Sequence, residues 1–332
     1  MTMPIRIALT GDVMLGRLVD RYVLRAKPFH AEYVWGNTLT LLQKADLRLI
    51  NLECVISQKG KPVPKTFNFR ANPKAVDVLK AAYIEGVSLA NNHSLDYGVE
   101  AFIECIKLLD ENHILHAGAG RNLNDALKPA IFKVKDSTIA LVSLTDNEPS
   151  WEAGENQPGV NYIRYDSNGL KEPYLARIKK QLESAKLSAE IIIASAHVGP
   201  NWGTPSPAMQ TFAHQLIEFG ADLYWGHSNH TTQGIEWYKN KPILYSTGDF
   251  IDDYAIDPIE RNDLSFIFFV DIEGENIVDI QLLPTTIENL QANIAKGSEA
   301  EWVMEWMDER CESFGTQIKR EEEKLIIRQR LR

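Results

Sequence analysis

The stretch Ala90-Asn91-Asn92-His93-Ser94-Leu95-Asp96-Tyr97-Gly98 sets two asparagines, a histidine and an aspartate in close succession. The apolar run Gly86-Val87-Ser88-Leu89-Ala90 leads into it. Behind it, Val99, Phe102, Ile103, Ile106 and Leu109 recur at helical spacing. That is the layout of a strand end opening into a loop and then a helix. In open α/β sheets, ligand chemistry lies just outside the carboxyl ends of the strands. Amide, imidazole and carboxylate together suit a divalent metal and a proton donor. A polar turn with Asp96 capping the next helix would use the same residues, so the rest of the chain must decide.

Working outward, the same pattern recurs. Ile5–Leu9 reads as a buried first strand ending in Thr10-Gly11-Asp12, with Val13 to Arg17 following; Asp12 there is a site carboxylate or a helix cap. Helical stretches are predicted over Leu18–Arg25 and Asn37–Lys44. Asp46–Ile50 is the second strand and runs into Asn51-Leu52-Glu53. The Lys59–Arg70 segment, with two prolines and several basic residues, reads as a loop over a site or a solvated face. Asn72-Pro73 predicts a helix start and Gly86 its stop. His113 and His116, around a short strand and glycine loop, are read as structural. Strands alternating with helices give the βαβ signature. Ala130–Val134 and Thr138–Leu144 read as a strand pair, and the Pro-, Gly- and Asn-rich segment 146–169 as a long functional loop.

Farther on, Ile191–Ala196 delivers His197-Val198-Gly199-Pro200-Asn201-Trp202. A helix from Ser206-Pro207 to Gly220 follows, and Ala221–Trp225 then delivers Gly226-His227-Ser228-Asn229-His230. Two strands near Gly234–Tyr238 and Pro242–Tyr245 lead to Ser246-Thr247-Gly248-Asp249-Phe250-Ile251-Asp252-Asp253. Leu264–Ile272 and Ile277–Leu283 read as a closing hairpin. From about Ser298 the chain is charged and helical, with an apolar patch of Trp302, Val303, Trp306 and Met307. Glu321-Glu322-Glu323-Lys324 and the basic Arg328–Arg332 read as a solvated helix end.

The chain of 332 residues has 44% hydrophobic and 24% charged residues, values of a soluble globular protein with a sizeable core. A formal net charge of −10 argues against a general nucleic-acid binder but leaves an anionic substrate open, since bound cations invert the local field. Cys54, Cys105 and Cys311 are scattered and odd in number, which excludes a disulfide framework or thiolate zinc site. The start of the chain reads as a strand rather than a leader, and no membrane span is predicted; a cytoplasmic location is expected.

Asp12, Glu53, Asn92 with His93, His197, and His227 with His230 each follow a predicted strand. Half of the eight histidines sit in these loops, which packing histidines explain poorly. The oxygen-plus-imidazole set suits one or two divalent ions such as Mn, Fe or Zn. A bridging carboxylate between two ions is a common arrangement for phosphoryl chemistry.

These motifs resemble the CapA / poly-γ-glutamate biosynthesis family, a branch of the calcineurin-like metallophosphoesterases. The resemblance rests on Gly11 to Arg17, Asn51 to Glu53, Ala90 to Gly98, His197 to Trp202, Gly220 through Glu236, and Tyr245 to Phe250, in family order. It implies an α/β fold, a four-layer αββα sandwich over 1–295 with a helical C-terminal extension over 296–332. It also implies metal ligation by Asp12, Glu53 (bridging), Asn92, His197, His227 and His230, with His93 as general acid. Asp96 and Asn91 would hold His93. Arg17, Lys65, Asn91 and Asp249 are the candidates for substrate contact. Three departures stand out: Met14 where the superfamily has a histidine, Asn201 where the family has an acid, and Gly248-Asp249-Phe250 for Gly-Asn-Phe. Asp249, with Asp252 and Asp253, replaces a lost ligand or caps a helix.

The expected function is metal-dependent phosphoester hydrolysis of a small anionic substrate. The alternative is a non-catalytic or γ-glutamyl-transferring accessory protein of polymer synthesis, acting as a homo-oligomer or with a synthesis partner.

Overall fold

The apolar runs assemble into two large sheets in a computed structural model that describes residues 3–328. In the larger sheet the strands lie in the spatial order Ile318–Glu321, Lys324–Arg328, Asn276–Glu288, Leu264–Glu273, Ile5–Val13, Leu47–Leu52, Gly86–Ser88 and Leu115–Ala117. The last four run parallel to one another, whereas Leu264–Glu273 and its neighbours are antiparallel. The smaller sheet runs Ile235–Tyr238, Lys241–Leu244, Leu223–His227, Ile191–His197, Ser137–Thr145 and Ala130–Val134. Its four middle strands are parallel. Parallel strands covered on both faces need continuous apolar sequence, as in Ile191-Ile192-Ile193.

Alternation along each strand divides the core in two. Ile7, Leu9, Leu49, Phe266 and Phe268 of the larger sheet meet Ile139, Leu141, Ile191, Ile193 and Trp225 of the smaller one in a dry layer between the sheets. The residues in between, such as Ala8, Ile50, Val142, Ile192 and Ala194, face outward against helices. Ala75–Ala81 and Gly98–Glu111 follow strands of the larger sheet, Tyr174–Lys186 and Pro207–Phe219 flank strands of the smaller, and their apolar faces join this outer core. The expected αββα layering is present.

Several local readings change. The helix expected from Asn72-Pro73 begins at Ala75, and Asn72 instead accepts a hydrogen bond from the Lys74 amide. Gly86 opens a strand rather than stopping a helix. The Leu18–Arg25 stretch is a short turn, Arg17–Val19, followed by a π-helical segment, Asp20–Leu24. His116 is structural but has a carboxylate partner, Asp110, at 3.2 Å.

The C-terminal region differs most. A helix forms at Gly297–Glu312, and its Val303, Met304, Met307 and Cys311 enter the layer between the sheets. Beyond it the expected solvated helix end is a hairpin of Ile318–Glu321 and Lys324–Arg328, which extends the larger sheet through pairs such as Leu282 with Leu325. Leu325-Ile326-Ile327 is a buried apolar run of strand character, and the glutamates sit at its turn. Residues 329–332 of the basic end lie outside the described residues.

Met307 is fully buried in the inter-sheet layer. Met307→Ala is expected to destabilise the fold by about 2–5 kcal/mol, read as a lower midpoint in urea unfolding.

Candidate metal centre

The functional side chains gather where the parallel strands of both sheets end. Asp12 lies inside its strand, between two irregularities of register, and its amide donates to the Gly248 carbonyl at 2.8 Å. Gly11 permits that approach: a Cβ there would sit 2.1 Å from the Gly248 oxygen. Gly226 does the same beside Tyr245, bringing His227 close to this seam. His197 and His227 are the last residues of adjacent strands and are register partners. Glu53 follows Leu52 directly.

One oxygen of Asp12 and one ring nitrogen each of His197 and His227 lie within 4.8 Å of one another, and all three residues are buried. The two Nδ1 atoms are 3.1 Å apart, and His227 Nδ1 is 3.9 Å from Asp12 Oδ1. Nitrogen ligands about 2.1 Å from one ion stand about this far from each other. Ser195 Oγ is 2.6 Å from His227 Nε2. A proton donated there leaves the Nδ1 lone pair for a cation. Among the described residues, Asp12 Oδ2 and Asn92 Oδ1 are buried without a hydrogen-bond partner. Orphaned acceptors beside imidazole lone pairs fit a divalent ion, with Asp12, His197, His227 and Asn92 as the residues that would hold it.

Electrostatics agree. Burial pushes Asp12 up to about 7 and Glu53 well above the carboxylate range, the latter with repulsion from Asp12. Burial likewise lowers His197 well below its ordinary value and His227 to about 3. The imidazoles are thus in the neutral form that binds metal, and the carboxyls hold protons that a cation would displace.

His93 stands at the edge of this group. Its Nδ1 is 2.5 Å from Asp96 Oδ2, and its ring stacks on Phe69 at 3.8 Å. Asp96 does not cap the following helix. Its second oxygen takes the Lys65 ammonium at 3.0 Å, and the Phe69 amide donates to Oδ2. Asn91 accepts from the His93 amide and donates to Asn51 Oδ1. Burial pushes His93 down to about 4 against the pull of Asp96.

A second cluster adjoins the first. His230 Nδ1 is 3.0 Å from Asp249 Oδ1, and Tyr254 Oη donates to Glu53 Oε2 at 3.1 Å. Asp249 and Asp252 each keep a buried oxygen without a partner. Burial raises both carboxyls far above their usual range, with the charge of Asp12 adding at Asp249 and that of Asp249 adding at Asp252.

Residues 6–254 match the family described as bacterial capsule synthesis protein PGA_cap. The chain belongs to that family. A probable polyglutamine synthesis accessory protein of Mycobacterium tuberculosis is 30% identical over 95% of this chain and 93% of its own length. The capsule biosynthesis protein CapA of Bacillus anthracis is 28% identical over 74% of this chain and 59% of its own. The PGA biosynthesis protein CapA of Bacillus subtilis is 30% identical over 73% and 62%. Among solved structures, a purple acid phosphatase from yellow lupin is 10% identical with a TM-score of 0.40, covering 89% of this chain and 53% of that one.

In this PGA_cap protein the residues expected to bind metal converge, but not as one sphere. Asp12, His197 and His227 form the tight group, and Asn92 lines the same cleft as His197. Glu53 stands 3.8 Å from His197 Nε2, and His230 is turned to Asp249. Of the expected substrate contacts, Arg17 and Lys65 line a cleft of about 580 Å³ above the group, together with Glu53, Asn92, His93 and His230. The Lys65 ammonium is engaged by Asp96, the Asn92 carbonyl and Glu148, so it serves the dyad. Arg17 is 3.3 Å from Asp253. Asn91 and Asp249 lie behind the cleft wall.

Asn51 is a component the sequence reading passed over. It donates to Asp12 Oδ1 at 2.7 Å, faces His197 Nδ1 at 3.3 Å and accepts from Asn91. A fully buried asparagine at a strand end, two residues before Glu53, is the signal that could have found it. Tyr254 gave no such signal. Met14 is buried, and its sulfur accepts from the Gly16 amide. Among the described residues no helix is long and apolar enough to cross a membrane.

Two measurements follow. Manganese or zinc should raise the melting temperature, by about 2.7 kcal/mol of stability at a hundredfold excess over Kd. Asp12→Asn should erase most of that rise in scanning calorimetry. Asp146 receives the Gly199 amide on both oxygens at 3.2 Å, and burial raises it to about 6. A raised folded pKa gives stability that is complete below about 4 and is lost as pH rises through 6. Asp146→Asn should flatten this window, gaining up to about 3 kcal/mol over wild type above pH 6 in denaturant titrations.

Proposed function

We propose that this PGA_cap protein is a metal-dependent hydrolase that cleaves a small anionic phosphoester. The observation that carries the reading is the buried Asp12–His197–His227 group with the unpartnered oxygens of Asp12 and Asn92. A divalent ion bound there supplies Lewis acidity toward a phosphoryl oxygen and an activated water.

The chain's own residues account for the rest. The cleft is large enough for a small substrate. Arg17 offers its guanidinium from one wall. Water attacks phosphorus opposite the ester oxygen, that P–O bond breaks, and His93 Nε2 gives its proton to the departing oxygen. Asp96 fixes the ring by accepting from Nδ1, the Phe69 face holds its plane, and Lys65 balances the Asp96 charge. Burial alone leaves His93 neutral at pH 7; a phosphate anion in the cleft acts in the opposite sense and favours the imidazolium.

A second reading has its own support. Met14 bonds to backbone where an imidazole would ligate, and Asn201 stands in place of an acid. A relative is named a synthesis accessory protein. On that reading the pocket retains a phosphorylated or γ-glutamyl ligand, or transfers a γ-glutamyl group, and the partners are those of polymer synthesis.

His93→Ala should lower kcat on an aryl phosphate by about 10²–10⁴ while elemental analysis finds the wild-type metal content. His197→Ala should lose metal and activity together. Full turnover by His93→Ala would remove it as the acid. Tight phosphate binding with no turnover under Mn, Fe or Zn would favour the accessory role.

A further inference from the structure

The rim of the cleft combines two properties that the site chemistry does not use. Six large apolar side chains around it, Leu18, Tyr22, Phe67, Trp202, Ile256 and Ile259, are between 41% and 76% exposed. Leu18 and Tyr22 lie four residues apart on the short helical segment after Arg17. The Leu18 amide donates to Asp253, and Arg17 lies over the Phe67 ring at 5.7 Å, so these loops adjoin. Phe67, Trp202 and Ala255 line the same cleft, and Ile256 and Ile259 follow Ala255 in the same loop. Asp257, on that last loop, turns its carboxylate to the Ile259 and Glu260 amides. Exposed apolar side chains gathered on adjoining segments mark interaction surfaces.

The second property is charge. Residues 14–27 and 57–70 carry eight basic side chains and a single acidic one, Asp20, in a chain of net charge −10. Asp20 is buried and paired with Arg25. Arg21, Lys27, Lys59 and Lys61 are exposed on these two segments. Exposed basic and apolar side chains alternating on these segments match an anionic lipid layer, where ammonium and guanidinium groups meet headgroups and apolar side chains enter the acyl boundary. We propose that this rim docks the protein onto an anionic lipid surface, with the cleft mouth facing the membrane. The inference does not depend on turnover in the cleft.

The test is co-sedimentation of the full chain with vesicles of phosphatidylcholine alone or mixed with phosphatidylglycerol. Binding is expected to the mixed vesicles and not to the neutral ones. It should weaken at least about tenfold near 1 M salt, where screening shortens to about 3 Å. The variant Leu18→Ser/Tyr22→Ser/Ile259→Ser and the variant Arg21→Glu/Lys27→Glu/Lys61→Glu should each lose about tenfold or more, with unchanged melting curves. Failure of the wild type to pellet with phosphatidylglycerol vesicles at low salt overturns the proposal. So does retained vesicle binding by the apolar variant together with full competition by a soluble polyanion, which would assign the rim to an anionic polymer.

Discussion

The burial of more carboxyl groups than the surrounding protein can pair governs this structure. Asp12, Glu53, Asp249 and Asp252 share one enclosed region, and Asp12, Asp249 and Asp252 retain oxygens without a donor. Carboxylates cost heavily in such a setting unless they are paired, protonated or bound to a cation. Asn51, Tyr254 and His230 offset part of the charge. Burial raises the rest toward their protonated forms, beside two neutral imidazoles that offer lone pairs.

The fold divides the candidate ligands between its two sheets. Asp12, Glu53 and Asn92 belong to the larger sheet and its loops, His197, His227 and His230 to the smaller. An ion at the centre would therefore tie the sheets together at their strand ends, while Val303 and Met307 of the C-terminal helix fill the layer between them. The basic loop 59–70 is anchored in the same region through Lys65 and Phe69, so the cleft wall and the His93–Asp96 pair are coupled mechanically.

Much of this was legible in the sequence, for definite reasons. Buried parallel strands demand apolar runs, and polar residues placed just after them stand out, as Asp12, Glu53 and His197 do. Helix boundaries were less legible: Asn72-Pro73 has the composition of a helix start, yet Asn72 bonds locally and the helix opens later. The C-terminal hairpin was hidden because a glutamate-rich turn flanked by basic residues has the composition of a solvated helix. The partition of the histidines was also out of reach. Motif spacing brings His230 to the strand end but does not reveal that Asp249, nineteen residues on, would claim its Nδ1. Lys65 read as a substrate contact because nothing in sequence ties it to Asp96.

The order in which the chain visits its sheets bears on its biogenesis. Ile5 pairs with Ile272, so the first strand synthesised waits for one of the last before its antiparallel edge is covered. At about 5–20 residues per second, a ribosome needs many seconds to supply that partner. Throughout that interval the apolar strand Ile5–Val13 presents an open backbone edge. Chains released early by truncation would keep that edge open, and an open strand edge is a template for pairing with another chain.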